Sequence, residues 1–257
     1  MIRGIIPQIT RSVNSVISKN VVRNSSSLIT KFDTSVASLP MREAVRYTKG
    51  NFKVEAQKML KYVDGQANAF LEYDIKTGDV ITIWMDESME KHVTMLAAAK
   101  IGAEIVEIDT SMDNITAIRE TLRIAKSKVI VFDPFTDESN RLTLLRKAIP
   151  EFYHYNDDFG QYFHSKHFPE LKYFIQTGFD IQVGCMCYQT CFLMDGENAA
   201  AQIASGLDDK TPLYSKITSD GDNVNRSKVI THGDVLASND ATWTFVQNLT
   251  GKKFFEL

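Results

Sequence analysis

The sequence predicts an α/β fold in which helices cover both faces of a mostly parallel, doubly wound sheet. Short apolar segments alternate along the chain with segments in which apolar residues recur at helical spacing. That alternation is typical of strand–helix–strand units, whose strands lie parallel and whose helices pack on the sheet. With 257 residues, 44% of them hydrophobic, the chain is long enough to bury the core that such a fold requires.

The first half of the predicted domain sets this pattern. Apolar residues at helical spacing predict a helix over 52–73, and the apolar run over 80–85 is typical of a buried strand. Asp86 and Ser88 can cap the next helix, because their side chains accept hydrogen bonds from backbone N–H groups. Gly102 is the residue type that commonly ends a helix, so we expect this helix to run from those caps to just before Gly102.

The same pattern continues along the chain. Short strands are predicted over 104–108, 128–132, 152–155 and 172–176, with a further strand end over 228–231. Helices are predicted over 114–125, over 138–148 before Pro150, over the alanine-rich 198–204, and over 234–248 before Gly251.

Composition divides the chain into four segments. Residues 1–32 carry five basic residues, several serines and no acidic residue, since the first acid is Asp33. Such a start, with apolar residues at near-helical spacing, is typical of a mitochondrial transit peptide, and the alternative is a basic solvated arm. We predict a linker over 33–50, the α/β domain over 51–251 and a docking tail over 252–257.

Bulk properties exclude several function classes. The net charge of −3 gives no global reason to bind nucleic acid, and no apolar run approaches the roughly 18–20 residues that span a bilayer. Cys185, Cys187 and Cys191 are too few for a disulfide scaffold, which favours free thiols. With His164 and His167 they are irregularly spaced for zinc, so buried reduced cysteines are the preferred interpretation and no metal site is predicted.

The most informative segment spans 218–232. A loop that holds a nucleotide phosphate needs glycines, hydroxyls and a cation, because backbone N–H groups must approach the anion closely. The hydroxyls of Thr218 and Ser219 are present, but Asp220 and Asp222 stand where an anion would lie. The sequence therefore predicts a phosphate loop that has lost its chemistry; the alternative is that Asp222 holds a metal ion that bridges phosphates.

Two stretches carry a family resemblance. Residues 76–85 (KTGDVITIWM) and 95–108 (MLAAAKIGAEIVEI) resemble the AMP-forming acyl-CoA synthetase family, which has a GD-V-x-I-W-M strand, a helix ending LAAxKxGA and a further strand. Residues 218–236 resemble the TSGTTGxPKGVxxTHxNL loop of that family. The resemblance covers roughly 45–250. It implies the fold of the family's N-terminal subdomain, and an activity that adenylates a carboxylic acid and then forms a thioester.

The resemblance identifies a degenerate phosphate loop. The residues carried over from the motif are Thr218, Ser219, Arg226, Thr231 and His232. The departures are Asp220 and Asn223 for two glycines, Asn225 for the proline, Arg226 for the lysine and Ser227 for the last glycine. A carboxylate about 4 Å from a phosphate oxygen costs on the order of 4 kcal/mol at an effective dielectric near 20.

The segments that resemble the adenine site and the C-terminal domain would lie beyond Leu257. We therefore predict no catalytic residue, no cofactor and no enzymatic activity.

These observations predict a non-catalytic accessory subunit of a mitochondrial inner-membrane assembly, on the matrix side. A respiratory-chain complex is the first candidate, and mitochondrial ATP synthase is the alternative. The partners would be other protein subunits, contacted through residues 1–32 and 252–257, with no nucleic acid bound and the membrane touched only peripherally. Two further alternatives stay open: half of a split acyl-CoA synthetase, and a sensor that binds an acyl group or CoA.

Overall fold

The elements of the fold were obtained from a computed structural model that describes residues 27–47, 52–156, 162–194, 198–238 and 243. The described helices are α1 (Leu28–Ser38), α2 (Ala56–Glu72), α3 (Met89–Ile101), α4 (Ile115–Ala125), α5 (Arg141–Ala148), α6 (Ala199–Ala204) and α7 (His232–Ala237). The strands are β1 (Glu43–Tyr47), β2 (Phe52–Glu55), β3 (Val80–Trp84), β4 (Glu104–Ile108), β5 (Val129–Phe132), β6 (Tyr173–Gln176), β7 (Met186–Cys187), β8 (Pro212–Asp220), β9 (Asn223–Arg226) and β10 (Ile230–Thr231).

One mixed sheet forms the centre of the molecule, with the strand order β10-β8-β4-β3-β5-β6-β7 and β9 paired to β8. The pairs from β8 through β4, β3, β5 and β6 to β7 are parallel, whereas β9 and β10 run antiparallel to β8. The chain enters at β3, adds β4 on one side and returns to add β5 on the other. This order confirms the predicted α/β fold with a doubly wound, mostly parallel sheet.

Separate apolar clusters cover the two faces of this sheet. Helices α1, α2, α3 and α6 pack on one face, against strand residues such as Ile81 and Ile105. Helices α4 and α5 pack on the other, against Val106 and Ile130. Because successive residues of a strand point to opposite faces, a strand buried on both sides is apolar throughout, as β5 is.

The ends of α3 lie where the sequence predicts them. The Ser88 hydroxyl accepts a hydrogen bond from the Lys91 backbone N–H. Gly102 closes the helix in the left-handed conformation, with φ of 69°. The predicted helices over 114–125 and 198–204 are likewise found, each capped by an asparagine side chain.

The N-terminal part of the described chain differs from the prediction. The predicted linker over 33–50 contains most of α1 and all of β1, both packed on the main body through buried side chains such as Phe32 and Val45. The predicted helix over 52–73 begins only at Ala56, because residues 52–55 pair with β1 as the antiparallel strand β2. Of the predicted basic segment 1–32, residues 1–26 lie outside the described residues.

Two later predictions also differ. The segment predicted as a strand over 152–155 lies largely in a 3₁₀ helix, Pro150–His154, in which the Phe152 ring stacks on Phe174 with centroids 3.7 Å apart. Proline at the first position favours this helical start. The helix predicted over 234–248 begins earlier, at His232, and is shorter: it ends at Ala237, and Ser238 is extended. The predicted tail over 252–257 lies outside the described residues.

Candidate functional site

The segment predicted as a loop over the phosphate forms a tight β-hairpin. Thr218 and Ser219 lie near the end of β8, and Asn223–Arg226 returns as β9. Gly221 and Asp222 form the two-residue turn; φ of Gly221 is 61° and Asp222 has no positive φ. Glycine at the first central position is the signature of a type II′ hairpin turn. Neither strand is predicted from the sequence, because their residues form no continuous apolar run.

This hairpin projects from the carboxyl edge of the parallel sheet. The parallel ladder between β4 and β8 ends with Ile108 opposite Ile217, so Thr218–Asp220 extends beyond the end of β4. In open α/β sheets, ligands bind outside the carboxyl ends of the strands. The two hydroxyls retained from the motif therefore lie at the edge where this class of fold binds its ligands.

Asp222 is held by a neighbouring helix. Asn114 Nδ2 donates a hydrogen bond of 2.8 Å to Asp222 Oδ1. The Oδ1 atom of Asn114 accepts from the backbone N–H groups of Thr116 and Ala117, and so caps α4. The start of a helix carries a partial positive charge, which stabilises a nearby carboxylate. Asp222 is thus held by a hydrogen bond within the protein although, like Asp220, it is exposed to solvent.

Arg226 aligns with the lysine of the motif that this segment resembles, but its guanidinium lies away from the turn. Arg226 Nε donates to Ser215 Oγ at 3.0 Å, and Nη2 contacts the Glu104 carboxylate. Glu104 is the first residue of β4, at the amino end of the sheet. The side chain of Arg226 therefore extends along β8 toward that end, opposite to the turn at Gly221.

Thr231 and His232 lie at the other end of β8. Thr231 pairs with Pro212, six residues before Thr218, which corresponds to about 20 Å along the strand. Thr231 caps α7, its hydroxyl accepting from the Asp234 N–H while the Asp234 carboxylate accepts from the Thr231 N–H. The structure therefore brings Thr218, Ser219 and Arg226 onto one hairpin, but separates the last two residues of the motif from it.

His232 is a buried core residue. Its side chain is fully buried, and neither ring nitrogen has a hydrogen-bond partner among the described residues. Burial lowers the pKa of His232 to about 4, and the negative charge of Asp208 offsets this only in part. A neutral imidazole with no oriented partner is not arranged as a general base.

Residues 32–165, just over half of the chain, match the family described as AMP-binding enzyme. The chain belongs to the AMP-binding enzyme family. This confirms the resemblance that the strand and helix motifs over 76–108 indicate. Among curated proteins, none matches the sequence.

Solved structures of similar fold include several ligases. A protein from Rhodopseudomonas palustris CGA009 named as a long-chain-fatty-acid CoA ligase has a TM-score of 0.69 and 13% identity, over 91% of this chain and 57% of that chain. A luciferase-like enzyme from the mealworm Zophobas morio has a TM-score of 0.66 and 12% identity, over 90% and 53%. A fatty acyl CoA synthetase from Mycobacterium tuberculosis has a TM-score of 0.59 and 13% identity, over 90% and 44%. The likeness shows the fold, and this AMP-binding family member spans about half the length of these proteins.

Membership of this family corrects one prediction. The prediction that the chain is not an enzyme is wrong, because the family to which it belongs is that of AMP-binding enzymes. The repulsion expected from Asp220 and Asp222 applies to a bare phosphate. Carboxylates can instead bind a Mg²⁺ ion together with substrate phosphates, so two acidic residues at this position do not exclude nucleotide chemistry.

The same edge of the sheet carries a polar cluster that the sequence analysis missed. Arg141 Nη2 donates to Asp86 Oδ1 at 2.7 Å, and Nη1 contacts Asp133 Oδ2 at 3.4 Å. Asp133 also accepts from the Thr177 hydroxyl, and the Arg141 guanidinium lies 5.6 Å from the centre of the Trp84 ring. Asp86, Asp133 and Thr177 follow the ends of β3, β5 and β6, at the point where the strand order reverses. The aspartates just after β3 and β5 were the signal that could have identified the cluster.

The described residues contain no group of three or more His, Cys, Asp or Glu side chains arranged to hold a metal ion. The three cysteines are free thiols. Burial raises the pKa of Cys191 to about 11, so this side chain is a neutral thiol rather than a thiolate. Among the described helices, none is long and apolar enough to cross a membrane.

Proposed function

We propose that this chain binds the phosphates of ATP at the β8–β9 hairpin and takes part in the adenylation of a carboxylic acid. The proposal rests on one observation: in a member of the AMP-binding enzyme family, Thr218 and Ser219 lie on a hairpin that extends past the carboxyl edge of the sheet. The solved structures of similar fold include ligases named for fatty acids, which favours a carboxylic acid as the substrate.

The polar groups of the hairpin suit a phosphate that carries a metal ion. The side chain of Thr218 is exposed, so its hydroxyl can donate to a phosphate oxygen, and the half-buried Ser219 presents its hydroxyl on the opposite face of β8. Asp220 is exposed on the face of Thr218 and would repel a bare triphosphate. Mg²⁺ is commonly bound by one or two carboxylates together with substrate phosphates, and a Mg²⁺–ATP complex would turn this repulsion into attraction.

Calorimetric titration of the full chain with Mg²⁺–ATP tests the proposal. Replacement of both hydroxyls, Thr218→Ala with Ser219→Ala, should raise the Kd by at least about tenfold, since a hydrogen bond to a charged group contributes roughly 1.5–3 kcal/mol. Ser205→Ala is a matched control, because the Ser205 hydroxyl donates only to the Gln202 carbonyl at the end of α6. No binding of Mg²⁺–ATP by the wild-type chain would reject the proposal.

We propose further that the protein acts on the matrix side of the mitochondrial inner membrane, as part of an assembly such as a respiratory-chain complex. This proposal is supported by the basic, acid-free composition of residues 1–32. Fusion of those residues to a fluorescent protein should direct it to mitochondria, and replacement of their arginines by glutamine should abolish the import. Co-purification from mitochondria tests the assembly; elution of the native protein at its monomer mass of 29.0 kDa would contradict it.

A further inference from the structure

We infer that Lys216, and not Arg226 at the position of the family's lysine, supplies the cation that contacts phosphate at the β8–β9 hairpin. The inference rests on the proposed function, and it names a residue outside the phosphate motif. The inference follows from the positions of the two charged groups. The guanidinium of Arg226 lies toward the amino end of the sheet, whereas the ammonium group of Lys216 lies at the carboxyl edge.

The guanidinium of Arg226 is bound toward the amino end of the sheet, away from the hairpin turn. It is bound by Glu104 and Ser215, and Ser215 Oγ itself donates to Glu104 Oε1 at 3.2 Å. The side chains of Arg226 and Glu104 are only 24% and 17% exposed. A phosphate near the turn could recruit this guanidinium only if the side chain reversed its direction and left a carboxylate unpaired.

Lys216 lies on the same face of β8 as Thr218 and Asp220, because alternate residues of a strand share a face. Two residues of strand separate Lys216 from Thr218, about 6–7 Å, which is within the reach of a lysine side chain. The Asp109 backbone N–H donates to the Ile217 carbonyl, so Asp109 lies level with Thr218 just beyond β4. The ammonium group of Lys216 is 3.4 Å from Asp109 Oδ2, and it therefore already lies beside the Thr218 position.

The contact between Lys216 and Asp109 is easily exchanged. The Lys216 side chain is 42% exposed, and the nitrogen–oxygen distance is long for an ion pair. Exposed pairs of this kind contribute little to stability. Asp109 also accepts hydrogen bonds from the N–H and hydroxyl of Ser111, so its carboxylate keeps partners when Lys216 turns to a phosphate. Lysine binds phosphate as a mobile point charge, which suits this exchange.

Calorimetry of the full chain tests the inference with three probes: Mg²⁺–ATP, inorganic pyrophosphate and adenosine. Lys216→Gln should raise the Kd for Mg²⁺–ATP and for pyrophosphate by about ten- to a hundredfold and leave adenosine binding unchanged. Lys216→Arg should recover most of the affinity and shows whether the position tolerates substitution. Asp109→Asn removes the competing charge and should tighten Mg²⁺–ATP binding by about threefold.

Two further variants complete the design. Lys210→Gln is the matched control, because Lys210 is an exposed lysine next to the opposite end of β8. Arg226→Gln should change the Kd for Mg²⁺–ATP by less than about threefold. A larger loss with Arg226→Gln than with Lys216→Gln, or wild-type affinity in Lys216→Gln, would overturn the inference and leave the proposed function intact. Absence of Mg²⁺–ATP binding by the wild-type chain would overturn both.

Discussion

At the scale of single residues, His232 shows how burial changes the role of a motif residue. The pKa of a histidine is about 6.5 in an unfolded chain, and burial lowers that of His232 to about 4 in the folded protein. Protonation below pH 6.5 therefore favours the unfolded state. The stability that His232 contributes is complete above pH 6.5 and is lost as the pH falls from 6.5 toward 4.

This shift predicts a measurable pH dependence. The free energy of unfolding should fall by about 2 kcal/mol between pH 7 and pH 5 through His232 alone. His232→Met should remove that part of the slope, whereas substitution of the exposed His164 by glutamine should retain it. Urea unfolding at both pH values measures the difference. Equal slopes in wild type and His232→Met would show that the imidazole is not buried as described.

Some site residues can be predicted from the sequence and others cannot. The resemblance located Thr218 and Ser219, because hydroxyls at those motif positions can be recognised from residue type and spacing. The direction of Arg226 could not be predicted, since it depends on Glu104, which is 122 residues away along the chain. Lys216 was missed because it lies outside the motif and joins the candidate site only through the alternation of a strand that the sequence did not indicate.

At the scale of elements, the helices with capping residues were predicted best. Helix α3 begins after Ser88 and ends at Gly102, because the hydroxyl and the left-handed glycine are local signals. The pairs β1–β2 and β8–β9 were missed for the opposite reason. Residues of β2 and β9 are mostly exposed or half-buried, so pairing with a neighbouring strand, and not an apolar pattern, makes them strands.

Gly102 provides a test of the signal that ends α3. A Cβ atom there would lie 2.8 Å from Leu207 Cδ2 and 2.9 Å from Thr77 Cγ2, in a backbone with φ of +69°. Gly102→Ala should therefore lower the free energy of unfolding by about 2–4 kcal/mol, through left-handed strain and overpacking together. Gly78 has φ of +87° with nothing within 4 Å of its added Cβ, so Gly78→Ala should cost only about 1–2 kcal/mol. Chemical denaturation of both variants gives the comparison, and a smaller loss at Gly102 would contradict this packing.

At the scale of the whole molecule, the strand order was not predictable from the sequence. The alternation of strands and helices indicated a parallel sheet, but neighbours such as β4 and β8 are about a hundred residues apart in the chain. That pairing places the β8–β9 hairpin beside the start of α4, and it creates the contact between Asn114 and Asp222. The order of the strands in the sheet therefore determines the candidate site as much as the motif does.

Arg141 tests this topology at the point where the strand order reverses. Its guanidinium, 2% exposed, joins carboxylates that follow β3 and β5. Removal of one partner from a buried ion pair leaves the other charge uncompensated and typically costs 3–5 kcal/mol. The Asp86 side chain is 50% exposed, whereas that of Asp133 is only 19% exposed. We therefore expect Arg141→Met to lower the free energy of unfolding of the whole domain by about 3 kcal/mol. Arg123→Met is the matched control, because Arg123 pairs with Glu120 on an exposed face of α4 and should change stability by less than about 0.5 kcal/mol. Urea denaturation followed by both far-ultraviolet circular dichroism and tryptophan fluorescence measures the loss. Comparable stability of the two variants would mean that these ion pairs do not hold β3, β5 and α5 together.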